Sequence, residues 1–366
     1  MRVALVSPYA LSVFGGVQTQ TLAMSRELVA RGHEVLVVAP DVNDRSRHDT
    51  TASVRTFGHL VSLPANGSRA PLTLSPLATR RAWFCVRQFK PDVVHFHEPF
   101  APLIGWGVLR THSAAALATF HRSGDGPALR YTRALLRHLA RDVDVAVAVS
   151  ASAAETVQRA CQLVPDVLFN GFESNDVDEP REGGSMSLLV CVGRLERRKG
   201  VAHAIRAVLA HNARTAAPTW RLVVLGEGPE RPALERLADA NTSVEFVGAL
   251  DDDAKRRWLR RANVVLAPAL RGESFGLVLL EAMASDAAVV ASDIPGYRDA
   301  AGGHAELFAP GDELELERAV ERALERSTPE RARMAREYAR RWSMASLMDE
   351  YEVRYREAID RFNAGR

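Results

Sequence analysis

Three cysteines in 366 residues, Cys85, Cys161 and Cys191, are too few and too widely spaced for a disulfide framework or a zinc site, and their apolar neighbours fit a reducing cytosol. No apolar run approaches the roughly 20 residues that cross a bilayer, and the opening run meets Pro8 too early for a signal-peptide core. A cytoplasmic chain is expected, at most touching a membrane from its inner face. Charge of one sign is lacking as well: 47 basic residues stand against 45 acidic ones, net +2, without blocks of like charge. Nucleic acid is therefore not the expected partner. Lysine is the scarcest cation. Only Lys90, Lys199 and Lys255 occur, so arginine is the default and a lysine marks a place where a compact ammonium is wanted.

What is present is a rhythm. The length suits two domains of ordinary size. Residues 2–7 form a short apolar run, followed by Gly15-Gly16, a helical pattern carried by Leu22, Met24, Leu28 and Val29, and a second apolar run at 35–39. Strand, glycine turn, helix and strand open a doubly wound α/β domain. Further strands are expected at 92–97, 115–120 and 143–149, whereas 41–76 reads as loop with one short strand. Residues 173–187, rich in Asp, Glu and Gly, read as a linker. Strands then recur at 188–192, 221–225, 244–247, 264–267 and 288–291. The expected domains are 1–172 and 188–342, both Rossmann-like. A last helical pattern, 343–366, could pack on either domain, and the N-terminal one is the expectation.

The first turn lacks G-x-G-x-x-G, and only Asp41 stands near the end of the second strand, so a dinucleotide oxidoreductase is disfavoured. The chemistry gathers elsewhere. In G-E-S-F-G-L-V-L-L-E-A-M-A, from Gly272, Ser274 is a plausible N-cap and Gly276 lets backbone approach a ligand. Glu281 then sits in a helix that is apolar nearly all round, where an ionised carboxylate needs a partner. That partner is either structural, such as a nearby arginine or a backbone N–H, or a ligand; with Glu273 just ahead of the helix, a ligand is the preferred reading. Strand 188–192 ends in Gly193-Arg194, and Arg198-Lys199-Gly200 are expected to open the next helix, so Arg194 and Lys199 flank a turn suited to a diphosphate. Gly226-Glu227-Gly228-Pro229 is another turn after a strand. His121 ends strand 115–120, a position open to ligand binding or to a structural hydrogen bond. Residues 80–88 set Trp83, Phe84 and Val86 beside Arg80, Arg81 and Arg87, a pattern of an amphipathic surface helix that can also lie on an anionic membrane.

Together, G-R-L-E-R-R-K-G from Gly193, G-E-G-P from Gly226 and the two glutamates eight apart resemble the family-four retaining glycosyltransferases of GT-B fold. The N-terminal half is most similar to the phosphatidyl-myo-inositol mannosyltransferase branch: S-P-Y, then G-G-V-Q around Gly16, N-G-S from Asn66, H-F-H-E-P from His95 and T-F-H at His121. The resemblance implies an α/β GT-B enzyme of two doubly wound domains facing a deep cleft. It implies that Gly16 lies near the donor diphosphate and the acceptor, that Arg194 and Lys199 hold the diphosphate, and that His121 is near the sugar. Glu273 is implied at the sugar hydroxyls and Glu281 at the ribose, Gly226, Ser274, Phe275 and Gly276 at the donor, and Tyr9, Gln18, Asn66 and Arg69 at the acceptor. His121, Arg194, Lys199 and Glu273 carry catalysis in that reading, with no metal and no tightly bound cofactor. GDP-mannose is the implied donor substrate and a phosphatidylinositol-type lipid the implied acceptor, reached from an anionic membrane surface. Another nucleotide sugar such as a UDP-sugar, a soluble small-molecule alcohol as acceptor, and a sugar-nucleotide-binding protein without turnover are the alternatives. The chain departs from the branch at Ser12, Phe14, Ala65 and Pro71, all on the acceptor side, and from the family at Asp286, where glycine is usual.

Overall fold

Short runs that are apolar on both faces make parallel strands, because helices must then cover each side of the sheet. The protein, described by a computed structural model over residues 1–12, 15–41, 51–65, 68–101, 104–109, 114–122, 127–173, 186–273 and 275–365, follows this rule twice. Two compact units result: Met1–Glu173 with Met344–Arg366, and Ser174–Ser343. Most of the expected linker, 174–185, lies outside the described residues.

The first unit runs β1 (Arg2–Val6), α1 (Gly16–Ala30), β2 (Glu34–Pro40), β3 (Ser53–Phe57), β4 (Val61–Ala65), β5 (Ser68–Leu72), α2 (Pro76–Phe89), β6 (Val93–His97), α3 (Ile104–Leu109), β7 (Ala115–Phe120), α4 (Pro127–Ala140), β8 (Val145–Ala148), α5 (Ala151–Cys161) and β9 (Asp166–Val167). Seven strands form one parallel sheet in the order β3-β2-β1-β6-β7-β8-β9. Alternate residues of β1 and β2 serve opposite faces, as the two-residue period of a strand requires. Val3, Leu5, Val35 and Val37 join one core with α1, and Ala4, Val6, Leu36 and Val38 another with α2 and α3.

The second unit runs β10 (Ser187–Val192), a 3-10 turn (Arg197–Lys199), α6 (Val201–Ala213), β11 (Trp220–Leu225), α7 (Arg231–Ala238), β12 (Val244–Gly248), α8 (Asp252–Arg261), β13 (Val264–Ala267), α9 (Leu277–Ala284), β14 (Ala288–Ser292), α10 (Pro295–Ala301), β15 (Glu306–Phe308), α11 (Glu313–Glu325) and α12 (Pro329–Arg340). Its six-stranded parallel sheet has the order β12-β11-β10-β13-β14-β15. The last helix, α13 (Met344–Ala364), belongs to the first unit. There Met348, Tyr351 and Tyr355 are buried with Val3, Leu5 and Leu117.

Each sheet reverses its winding once, between β1 and β6 in the first and between β10 and β13 in the second. Ligands of open α/β sheets bind beyond the carboxyl ends of the strands at such switch points. Residues 7–16 and 98–101 follow the first pair, and residues 193–200 and 268–276 follow the second.

Three local expectations are corrected. The stretch 41–76 holds β3 and an antiparallel hairpin, β4 with β5, rather than one short strand; Pro64 and Pro71 sit opposite Arg69 and Ser62 in a two-stranded ribbon, where both strands are edges and proline is tolerated. Arg198 and Lys199 lie on the 3-10 turn, and α6 begins after Gly200. Helix α9 begins at Leu277 with Gly276, at φ +97°, as its N-cap, so Ser274 does not cap it. Gly276 meets a need of the fold: a Cβ there would sit 2.5 Å from Tyr297 Cδ1.

Candidate active site

At the switch point of the second unit, Glu273 is gripped by two cations. Lys199 Nζ and Arg198 Nη1 each lie 2.8 Å from its Oε1. Arg198 also donates to the Gly272 carbonyl at 3.2 Å and, through Nε, to Glu196 at 2.9 Å. Glu196 in turn lies 3.1 Å from Arg194 Nη2. Three cations on the turn that follows β10 thus share two carboxylates, Glu196 on the same turn and Glu273 on the segment after β13. This surplus of positive charge, carried by side chains half-buried on a tight turn, suits an incoming polyanion better than a neutral ligand.

The turn is held close by its glycines. Gly200 has φ +68°, and a Cβ on it would fall 1.9 Å from the Pro268 carbonyl oxygen. Gly226 fits against the Gly193 carbonyl in the same manner, so its place is set by backbone packing within the unit. Phe275 is 3% exposed and meets Trp342 edge-on at 5.8 Å between ring centroids. Its ring is therefore core. Ser274 lies outside the described residues.

Glu281 has a partner of the structural kind. Lys255 Nζ, on α8, lies 3.0 Å from its Oε1 and 2.9 Å from Asp252. Burial opposes the charge on Lys255, but Glu281 and Asp252 outweigh it and hold the ammonium above its ordinary range. Asp286, at φ +61°, takes the left-handed position usual for glycine and is anchored by Arg260 and, at 2.8 Å, by Arg336.

In the first unit, β6 and β7 deliver a histidine cluster. His97 Nδ1 and His121 Nε2 lie 3.0 Å apart. The main-chain N–H of His121 donates to Glu98, and that of Arg122 donates to the same carboxylate oxygen at 2.6 Å. Glu98 adopts φ +48°, a strained conformation for a residue with a Cβ and one that collects at functional sites. Burial pushes its pKa up, against the two N–H donors. Burial pushes His121 down to about 3, so its imidazole is neutral at ordinary pH.

The remaining candidates fall near the end of β1. Tyr9 donates its main-chain N–H to Ser7 Oγ at 3.2 Å, and burial followed by the charge of Glu98 raises its phenol above the ordinary range. Gly16 is the first residue of α1, exposed, with nothing within 4 Å of a notional Cβ. Gln18 is buried and donates to the Ala10 carbonyl at 3.3 Å, so its amide holds the β1–α1 loop. Arg69 lies on β5, opposite Pro64; Asn66 is outside the described residues. Asp41, the acidic residue at the end of β2, accepts the Ser12 N–H at 3.1 Å and serves the same loop.

Two family profiles tile the chain: residues 14–175 match Glycosyltransferase Family 4, and residues 187–326 match Glycosyl transferases group 1. The phosphatidyl-myo-inositol mannosyltransferase of Propionibacterium freudenreichii subsp. shermanii is 34% identical over 355 residues, 92% of this chain and 89% of that one. The chain belongs to the group 1, family 4 glycosyltransferases. The protein of the same name from Mycolicibacterium smegmatis is 34% identical over 86% of this glycosyltransferase and 82% of its own length. Among solved structures, Anabaena Alr3699/HepE in complex with UDP and glucose superposes with a TM-score of 0.72 at 18% identity, over 96% of this chain and 98% of that one. That likeness concerns the fold, which is GT-B.

Several residues of this glycosyltransferase's site escaped the sequence. Arg198, Glu196 and Glu98 stand inside the quoted motifs, but no role is assigned to them from the sequence. Tyr297 lies on α10, 2% exposed, its phenol raised by burial and then by Glu273. Lys255 did carry a signal, its rarity as a lysine. Among the described residues, His211, Glu317 and Glu321 are close enough to share a metal ion, but Glu317 is paired with Arg214 and His211 stacks on Trp220 at 3.6 Å between centroids. That group reads as an internal ion-pair cluster.

Proposed function

We propose that this glycosyltransferase moves a mannosyl residue from GDP-mannose to a phosphatidylinositol-type lipid, with retention at the anomeric carbon. The observation that carries the acceptor and sugar is the 34% identity, along nearly the whole chain, with proteins named for that reaction. In this reading Arg194 and Lys199 hold the donor diphosphate and offset the charge that builds on it as the sugar leaves. Fixed cations can do this work without a metal. Glu273, released from Arg198 and Lys199 as they turn to phosphate, accepts hydrogen bonds from sugar hydroxyls. Glu281 holds the ribose through whichever oxygen Lys255 leaves available, and His121 contacts the sugar. The leaving phosphate assists deprotonation of the acceptor hydroxyl on the same face.

The membrane contact is assigned to α2. Leu77 and Phe84 are 57% and 54% exposed there, beside exposed Arg80, Arg81 and Arg87. With Arg55, Phe57 and Trp83 they line a groove of about 670 Å³. Apolar side chains ringed by arginine suit an anionic bilayer surface. Among the described residues no helix is long and apolar enough to cross a membrane.

A second reading, a UDP-sugar as donor, is favoured by the fold's likeness to a structure that holds UDP and glucose. Thermal shift against GDP-mannose, UDP-glucose and ADP-glucose separates the two. Stabilisation by GDP-mannose alone supports the mannosyl reading, and stabilisation by the UDP-sugar alone replaces it.

A further inference from the structure

Behind His121 lies a buried stack of rings. His95 Nδ1 is 2.8 Å from the Tyr355 hydroxyl, His95 Nε2 is 2.7 Å from Thr119 Oγ1, and Thr119 Oγ1 is 2.9 Å from the Tyr351 hydroxyl. A neutral imidazole has one N–H and one lone pair, and here each meets a hydroxyl that can answer it. The His95 ring stacks on His97 at 4.5 Å and 25°, and His97 reaches His121. So α13, through two tyrosines, fixes the first ring, and the first ring supports the second.

His97 is 1% exposed, and its Nε2 has no hydrogen-bond partner among the described residues. One proton is shared along the His97–His121 contact, in one of two directions. If His121 donated, the proton of His97 would sit on Nε2 as a buried N–H without an acceptor, a rare and costly arrangement. If His97 donates from Nδ1, only a lone pair is left unanswered.

We propose that His97 is a positioning residue: its Nδ1–H donates to His121 Nε2 and fixes His121 as the Nδ1–H tautomer. His121 then meets a ligand as a hydrogen-bond donor, neither a base nor a cation. A sugar hydroxyl or phosphate oxygen is the group such a donor takes. The consequence for transfer rests on the reading that His121 contacts the sugar, whereas the tautomer itself does not.

Two-bond 1H–15N correlation spectra of protein labelled at histidine nitrogen test it. Wild type should show His121 protonated at Nδ1. His97→Asn, which keeps an amide donor at the position of Nδ1, should preserve that pattern and the turnover. His97→Asp, which puts an acceptor where the donor stood, should draw the His121 proton to Nε2 and lower kcat about ten-fold, the size of one neutral hydrogen bond, with donor KM nearly unchanged. An Nε2–H pattern in wild type, or an unchanged pattern in His97→Asp, overturns the proposal. If His97→Asp fails to fold, the wild-type pattern and the His97→Asn turnover decide. A switched tautomer with unchanged turnover upholds the proposal and removes His121 from the sugar.

Discussion

Lys255 on α8 places its ammonium 3.0 Å from Glu281 Oε1 on α9, nearly as close as Lys199 comes to Glu273 at 2.8 Å. Two of the three lysines in the chain are thus committed to the two glutamates of one motif. The pairing separates two roles for Glu281. If it binds ribose, Glu281→Gln should weaken nucleotide binding about ten-fold, while Lys255→Met lowers stability by about 1–3 kcal/mol and leaves affinity nearly intact. Isothermal titration with GDP beside denaturant melts of both variants checks this. Equal, purely stability-related effects would make the pair structural.

Lys199→Ala should weaken binding of a nucleoside diphosphate roughly 10- to 100-fold, the value of a charge-assisted contact, and reduce turnover at least as much. Glu273 keeps Arg198 in that variant, so the fold should survive. The readout is GDP affinity and donor hydrolysis. Wild-type values in both would take Lys199 out of the site.

The legible part of this molecule is the part governed by local rules. Strands such as 115–120, apolar but for Thr119, and 264–267, apolar throughout, are covered on both faces, and that is visible without tertiary information. Arg194, Lys199 and Glu273 were visible because cations on a glycine turn and a carboxylate ahead of an apolar helix are unusual at those places. What was hidden depends on distant chain. Glu98 acquires its role from the N–H groups of residues 23 and 24 positions away, and Tyr297 from the space beneath Gly276. Ser274 obeys the capping preference, yet the cap of α9 is Gly276, because the fold needs a left-handed residue over Tyr297. Gln18 and Phe275 matched motifs yet spend their side chains on the unit's own packing.

The histidine cluster predicts an acid-sensitive fold. Burial pushes His95 and His121 down to about 3 and holds His97 well below 6.5. In the unfolded chain all three return to about 6.5, so between about pH 3 and 6.5 the unfolded state binds more protons. Stability is therefore complete above about 6.5 and falls as pH drops through this window. Glu98, raised from 4.5, opposes the trend with one group against three. Urea midpoints at pH 8 and pH 5 should differ, with the lower midpoint at pH 5, and His95→Gln should flatten the difference. A midpoint that does not move with pH would contradict the buried, neutral cluster.

Replacing Arg80, Arg81 and Arg87 with glutamine should lower partitioning onto phosphatidylserine-containing vesicles by about 100-fold, at about 1 kcal/mol per charge near the surface. Turnover on a soluble acceptor or donor hydrolysis should not change. Vesicle co-sedimentation reads the effect, and undiminished sedimentation would deny α2 its assigned role.

The most direct measurement is mannosyl transfer itself: GDP-[14C]mannose incubated with the protein and phosphatidylinositol vesicles, followed by lipid extraction and determination of the product's anomeric configuration. The account predicts a labelled lipid with an α-linkage, lost in Lys199→Ala. No labelled lipid with GDP-mannose, together with lipid or soluble product from a UDP-sugar, would contradict it and leave a glycosyltransferase of different donor and acceptor.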